Sequence, residues 1–478
     1  MSEFLHTLPL AELARRLRNS QISAVQLTDY FLERIARFNP HIKAFIQVDP
    51  TRARRDALRA DDELANGHDR GPLHGIPYAL KDIFDVAGVA TTCHSKIMQH
   101  HIAPHSCTIE KKLKAGSGVY LGKLATHEFA LGGPSLELPF PPARNPWNPA
   151  HFTGASSSGA GAAIAAGLVP VAIGSDTSGS IRGPACMCGV TGFKPTFGLV
   201  SRYGVFPLSW SLDHCGPLTR YAADCAYVMQ VIAGQDPHDP TGCNVTFDFV
   251  NPPAINWRNF RVAWPRHLLT DSPYTHPELL AAMDNSVALL RDAGATVEEI
   301  QFKDYHLFNA CGRIIMTAES FAIHQQSLRE RPEDFGRFTY QRVLPGATIS
   351  AAELLDAQRL RSELTGWLNT RIFPHYQLLI FPSTLRPAPA FSEFGTDWPP
   401  PANVVPTQTI PFNVTGNPAL NLPIGLASCG LPLGMQLVGP LFDDRTLLAT
   451  GSALETLLTM PILAESSLIN DAVTYHPA

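Results

Sequence analysis

The chain is poor in charge for its length: Asp, Glu, Lys and Arg make up 17% of its 478 residues, and neither sign dominates, for a formal net charge of −5. That balance disfavours a nucleic-acid binder, which carries a basic face or run. The densest basic clusters are Arg52, Arg54, Arg55 and Arg59, then Lys111, Lys112 and Lys114. Both read as solvated helix faces. No CxxC pair occurs among the nine cysteines. An odd number of cysteines in a long chain points to reduced thiols and a cytoplasmic location, and the CxC at Cys186 and Cys188 reads as buried thiols rather than a zinc site. The longest apolar run, 160–174, is too short and too broken by Gly and Pro to cross a bilayer. The first twenty residues lack an apolar h-region behind a basic start, so no signal peptide is expected. No repeat and no low-complexity tract is found. Apolar residues at 45% supply a substantial core.

Residues 8–38 predict two amphipathic helices. Ser23 and Gln26 have capping-box spacing, and Leu27, Phe31, Ile35 and Phe38 share a face that Asn39-Pro40 should end. A further helix is expected over 51–65. Beyond about 71, short apolar runs (Pro170 to Ile173, Val262 to Trp264, Leu378 to Phe381, Met435 to Val438) alternate with helical stretches, which predicts an α/β fold. A helix is expected from Pro277 to Ala293, mostly helix over 305–372, and a Pro-rich loop over 386–406.

Three segments carry chemistry. In GPLHGIPYALKD (71–82), Lys81 follows an apolar run. Burial there would disfavour its ammonium form and leave an amine able to accept a proton near neutral pH. In TGASSSGAGAAIAAG (153–167), three serines sit in a Gly-rich turn before an Ala-rich stretch. A phosphate-cradling loop would need Lys-Ser/Thr after its last glycine, and Gly159 is followed by Ala160. In GSDTSGSIRGPA (174–185), successive N–H groups of a turn entering a helix could hold an oxyanion, with the Ser180 hydroxyl facing it. Each segment alone also admits a plain structural reading: a surface lysine, a serine N-cap, a structural turn. Neither GxSxG nor SxxK occurs at these serines, which disfavours an α/β-hydrolase or a β-lactamase-type enzyme.

Taken together, the sequence resembles the amidase signature family. The likeness is densest over 71–92 and 145–220, and returns in TQTIPFNVTGNPALNLPIG and GLPLGMQLVGP. The resemblance implies an α/β amidase-signature fold: a large mixed β-sheet covered by helices on both faces, with an N-terminal helical segment (1–65) packed on the main domain (66–478) and 305–406 shaping the substrate entrance. It implies a Lys81, Ser156, Ser180 triad, with Ser156 standing 24 residues before Ser180 and 75 after Lys81. Backbone N–H groups of Thr177, Ser178, Gly179 and Ser180 would form the oxyanion hole. Ser157, Ser158, Asp176 and Arg182 would support the turns. Two departures stand out: Gly154-Ala155 replaces a Gly-Gly pair, placing the family's cis bond at Ala155–Ser156, and Ser178 replaces a glycine. No cofactor and no metal is implied.

The expected activity is hydrolysis of a C–N acyl bond (amide, aryl amide, anilide, carbamate or ureide) through a Ser180 acyl-enzyme. The alternative is the glutamine-hydrolysing subunit of a tRNA-dependent amidotransferase. The segments HEFALGGPSLELPFPP (127–142) and SWSLDHCGPLTR look more like the free hydrolases. The expected partners are therefore a small-molecule amide, no nucleic acid, no membrane and a homodimer at most. Phe129, Phe140, Phe335, Phe338 and Trp398 are candidates for an apolar entrance.

Overall fold

The computed structural model describes residues 4–458 apart from Gly132, together with 460, 461, 463 and 468. The last ten residues of the expected 66–478 domain lie outside the described residues. The alternation of short apolar runs with helices resolves into one mixed sheet of eleven strands. In chain order these are β1 (Phe45–Val48), β2 (Pro77–Lys81), β3 (Val119–Leu124), β4 (Val171–Asp176), β5 (Thr191–Lys194), β6 (His214–Thr219), β7 (Arg261–Trp264), β8 (Thr296–Glu299), β9 (Leu378–Pro382), β10 (Ala419–Leu426) and β11 (Pro432–Val438). Their spatial order is β1-β3-β2-β4-β6-β5-β10-β11-β9-β7-β8. β2 runs parallel to both β3 and β4, while β6 turns antiparallel against β4. The central strands are apolar and fully buried, as strands covered on both faces must be.

The N-terminal helices run over Leu10–Arg18 and Ala24–Ile42, and the Ser23–Gln26 capping box is formed. The second helix does not stop at Asn39-Pro40. It continues to Ile42, because the Lys43 N–H still reaches the Asn39 carbonyl at 2.8 Å and Lys43 closes the end in a left-handed conformation. Proline costs little in a last turn, where few intrahelical bonds remain to be broken. The expected 51–65 helix spans Pro50–Ala65, capped by Asp49. Arg52 is not on a solvated face: it pairs with Glu110 at 2.7 Å and lies over the Tyr120 ring. β4 extends past Ile173 because Gly174, Ser175 and Asp176 pair with β6.

These helices share one continuous core with the sheet. Arg34, buried on the Ala24–Ile42 helix, donates to the carbonyls of Ala166 (3.0 Å) and Gly167 (2.7 Å). Those groups end the Ser158–Ala165 helix, so the N-terminal segment caps the element that follows the serine run. No helix among the described residues is long and apolar enough to cross a membrane.

Arg34→Ala leaves two buried carbonyls without that donor and should cost about 1–3 kcal/mol. Chemical denaturation of the purified variant checks this, and an unchanged midpoint would contradict it.

Candidate functional site

Lys81 ends β2, and Ser175 and Asp176 end the neighbouring parallel strand β4. Carboxyl ends of parallel strands are where α/β sheets assemble sites. Lys81 is fully buried. Its Nζ lies 2.6 Å from Ser156 Oγ and 2.8 Å from Ser175 Oγ. Among the described residues no carboxylate forms an ion pair with it, and Asp213 and Asp176 act on it only at a distance. Burial therefore wins, and the amine is pulled down from 10.5 to about 7.

Ser156 and Ser180 are brought together at the floor of a cavity of about 1140 Å³. The Ser156 N–H donates to Ser180 Oγ at 3.4 Å. The expected cis bond at Ala155–Ser156 is absent: that bond is trans, and the one cis peptide among the described residues is Trp398–Pro399. The sharp reversal before Ser156 comes instead from Gly154, at φ +113°, where any side chain would run into the backbone of Pro184. Ser157 braces the turn from below. Its hydroxyl donates to the Ser175 carbonyl (3.1 Å) and accepts from the Ser175 N–H (3.2 Å). The Ser158 hydroxyl donates to the Ala125 carbonyl at 3.4 Å.

The 177–180 turn is fastened at every residue. Thr177 donates its hydroxyl to Asp213 (2.6 Å). The Ser178 carbonyl accepts from Thr409 Oγ1 (2.5 Å), and the Ser180 carbonyl from the Ser157 N–H (3.2 Å). The Gly179 N–H donates to Asp176 Oδ1 at 2.8 Å. This last bond departs from the expectation that Gly179 helps form an oxyanion hole, since its N–H already donates to a carboxylate. The N–H groups of Thr177, Ser178 and Ser180 have no acceptor among the described residues.

Asp176 and Arg182 form a fully buried pair at 2.9 Å. Burial pushes the Asp176 carboxyl up, but the Arg182 guanidinium more than reverses this and holds it well below the usual carboxylate range. Arg182 also donates to the Thr409 carbonyl, Gln436 and Asn413 at 2.8, 2.9 and 2.6 Å. Asn413 in turn donates to Asp176 at 2.8 Å. Sequence reading missed Ser175, Thr409, Asn413, Gln436 and Asp213. The two segments TQTIPFNVTGNP and GMQLVGP, where the family likeness resumes, held the signal for three of them. For Ser175 the signal was the parallel register of β2 with β4, which no motif displays.

Of the five aromatic candidates for the entrance, only Trp398 lines this cavity; Phe129, Phe335 and Phe338 are buried side chains and Phe140 stacks on His94. The opposite wall comes from 303–342 and includes Lys303, Arg313 and Arg342, the last lying over the Trp398 ring at 4.2 Å.

Known proteins resemble this chain along nearly all of its length. The family described as Amidase matches residues 26–448. A glutamyl-tRNA(Gln) amidotransferase subunit from Roseiflexus sp. (strain RS-1) is 36% identical over 473 residues, covering 94% of this chain and 96% of its own. An s-triazine catabolic enzyme, solved with an inhibitor in a study of a vestigial protein complex, superposes with a TM-score of 0.87 at 32% identity, covering 96% of this chain and 100% of that one. The corresponding glutamyl-tRNA(Gln) amidotransferase subunit from Thermotoga maritima superposes with a TM-score of 0.80 at 30% identity, covering 97% and 98%.

These relatives overturn the expectation of a small-molecule partner alone with no nucleic acid. Among the proteins matched along nearly their whole length are subunits of an enzyme named for a tRNA. The inference from charge failed because a balance of −5 describes the surface of one chain, not of an assembly. The comparisons likewise favour the amidotransferase alternative over the free hydrolase suggested by 127–142 and 209–220.

Removing the Arg182 guanidinium (Arg182→Ala) strands a buried carboxylate and should destabilise the fold by about 3–5 kcal/mol. Thermal or denaturant unfolding reads this directly. A loss below about 1 kcal/mol would show that the pair does not organise the turn.

Proposed function

The chain belongs to the Amidase family, and from that premise we propose that it hydrolyses a C–N acyl bond through an acyl-enzyme at Ser180. The observation that carries this reading is the wholly buried Lys81 amine at 2.6 Å from Ser156 Oγ, with the Ser156 N–H in turn donating to Ser180 Oγ at 3.4 Å. Uncharged Lys81 accepts the proton of the Ser156 hydroxyl, and Ser156 takes that of Ser180. Ser180 Oγ bonds to the carbonyl carbon, and the oxyanion is held by the N–H groups of Thr177, Ser178 and Ser180. The proton returns along the same chain to the leaving nitrogen as the C–N bond breaks. Water then adds to the acyl carbon, the bond to Ser180 Oγ breaks, and one water proton restores the serine.

For the acyl donor we favour glutamine, with the chain acting as the amide-hydrolysing subunit of a tRNA-dependent amidotransferase. Two observations support this. The match to such subunits spans nearly the whole of both chains. Lys303, Arg313 and Arg342 stand on the wall of the Ser180 cavity, and guanidinium groups suit a carboxylate. The likeness to an s-triazine catabolic enzyme supports a second reading, hydrolysis of a small nitrogen-rich C–N bond in company with another chain.

Three outcomes are expected. Lys81→Ala and Ser180→Ala should each lower kcat by at least about 10³-fold, and full activity in Lys81→Ala would contradict the relay. The rate should fall about tenfold per unit of pH below neutrality, because protonated Lys81 cannot accept a proton and its titration lies at about 7. A rate flat from acid to alkaline pH would oppose this. Ammonia release from glutamine should rise when the partner chains of an amidotransferase and glutamyl-tRNA are added. Release from ureide compounds and none from glutamine would favour the second reading.

A further inference from the structure

A second cavity, of about 450 Å³, lies on the other side of Lys81. The lysine amine bridges the two spaces. Its hydrogen bond to Ser156 points to a residue of the substrate cavity, and its bond to Ser175 points to a residue of the second one. Ala130 and Leu208 face both cavities, so the two share a wall. The second cavity is lined mainly by apolar groups such as Ile83, Val205 and Phe206. Its inner end is polar, with Ser175 and Asp213, and its outer end is formed by the exposed residues Trp210, His238 and Thr241.

We propose that this cavity is a separate entrance by which water reaches the catalytic centre, past Ser175 and the wall of Ala130 and Leu208, while the acyl group and departing amine fill the substrate cavity. The inference rests on the acyl-enzyme reading. Three features carry it. Lys81 has no exposed surface of its own, so solvent meets its amine only through Ser156, which faces the substrate cavity, or through Ser175, which faces the second one. The inner end offers water the partners it needs: the Ser175 hydroxyl and the Asp213 carboxylate, which is itself anchored by Thr177 and by the N–H groups of Leu208 and Ser209. The apolar stretch of Ile83, Val205 and Phe206 makes passage of an ion costlier than passage of water, although the paired Arg202 and Asp239 also line the cavity. The water delivered there adds to the acyl carbon, the acyl–Ser180 bond breaks, one proton returns to Ser180 Oγ, and the acid departs through the substrate cavity.

The test separates the two half-reactions. Val205→Trp fills the cavity from a wall that does not touch the substrate cavity, and Thr241→Trp narrows its mouth at an exposed position. Acylation is read as the labelling rate of Ser180 by a fluorophosphonate probe, and deacylation as the steady-state rate after the burst with a nitrophenyl ester. Deacylation should slow about tenfold while labelling is unchanged. Deacylation at the unmodified rate in both variants would overturn the entrance alone, and so would an equal fall in both rates. Failure of the probe to label Ser180 in the unmodified chain would remove the acyl-enzyme reading and the entrance with it.

Discussion

Burial of one amine is the constraint on which the rest of the structure depends. Lys81 sits at the end of a strand enclosed on both sides by parallel neighbours, and no carboxylate among the described residues pairs with it. A lysine in such a place is ordinarily a liability, because desolvation of an ammonium is costly. Here the cost is lowered by shedding the proton, and the amine that results can accept one hydrogen bond from a hydroxyl while donating to another. Ser156 and Ser175 are the two hydroxyls placed to meet it. The serine run and the β4 terminus are thus coupled to the charge state of one side chain 75 residues before Ser156.

A second buried charge does the opposite work. Asp176 stays ionised because Arg182 and Asn413 meet its oxygens, and it accepts the N–H groups of Gly179, Ile181 and Arg182. It therefore fixes the turn entering the Arg182–Cys188 helix and leaves the neighbouring N–H groups pointing outward. Gly179 is needed for the same closeness: at φ +125° a side chain would collide with Thr409. The site combines one group kept neutral by isolation and one kept charged by a complete shell of partners. The environments of Lys81 and Asp176 push them in opposite directions.

Much of this is legible in the sequence. Lys81 after an apolar run reads as a buried amine, and it is one. The family resemblance implied that Ser156 and Ser180 act together, and both line one cavity. What stayed hidden lies where physics acts between segments. The pairing of Ser175 with Lys81, 94 positions apart in the chain, depends on the register of two strands. The commitment of the Gly179 N–H depends on where the Asp176 carboxylate swings. The helix through Pro40 continues because the Lys43 N–H still reaches the Asn39 carbonyl, while the Asn39 side chain holds the chain beyond the helix at Phe45. Aromatic side chains could not be sorted between core and entrance by composition, and Phe129, Phe335 and Phe338 proved buried without lining the cavity. Partners were misjudged because net charge is a property of one chain.

The charge of Lys81 decides between a working relay and a buried spectator, and it can be observed without any substrate. Nuclear magnetic resonance of the protein carrying ¹³C- and ¹⁵N-labelled lysine, with Lys81→Met to assign the signal, follows the amine through its titration. The expected result is a Lys81 transition centred at about 7, far from the ordinary 10.5. A signal that remains that of an ammonium ion up to the ordinary range would contradict the claim that an uncharged amine drives the site.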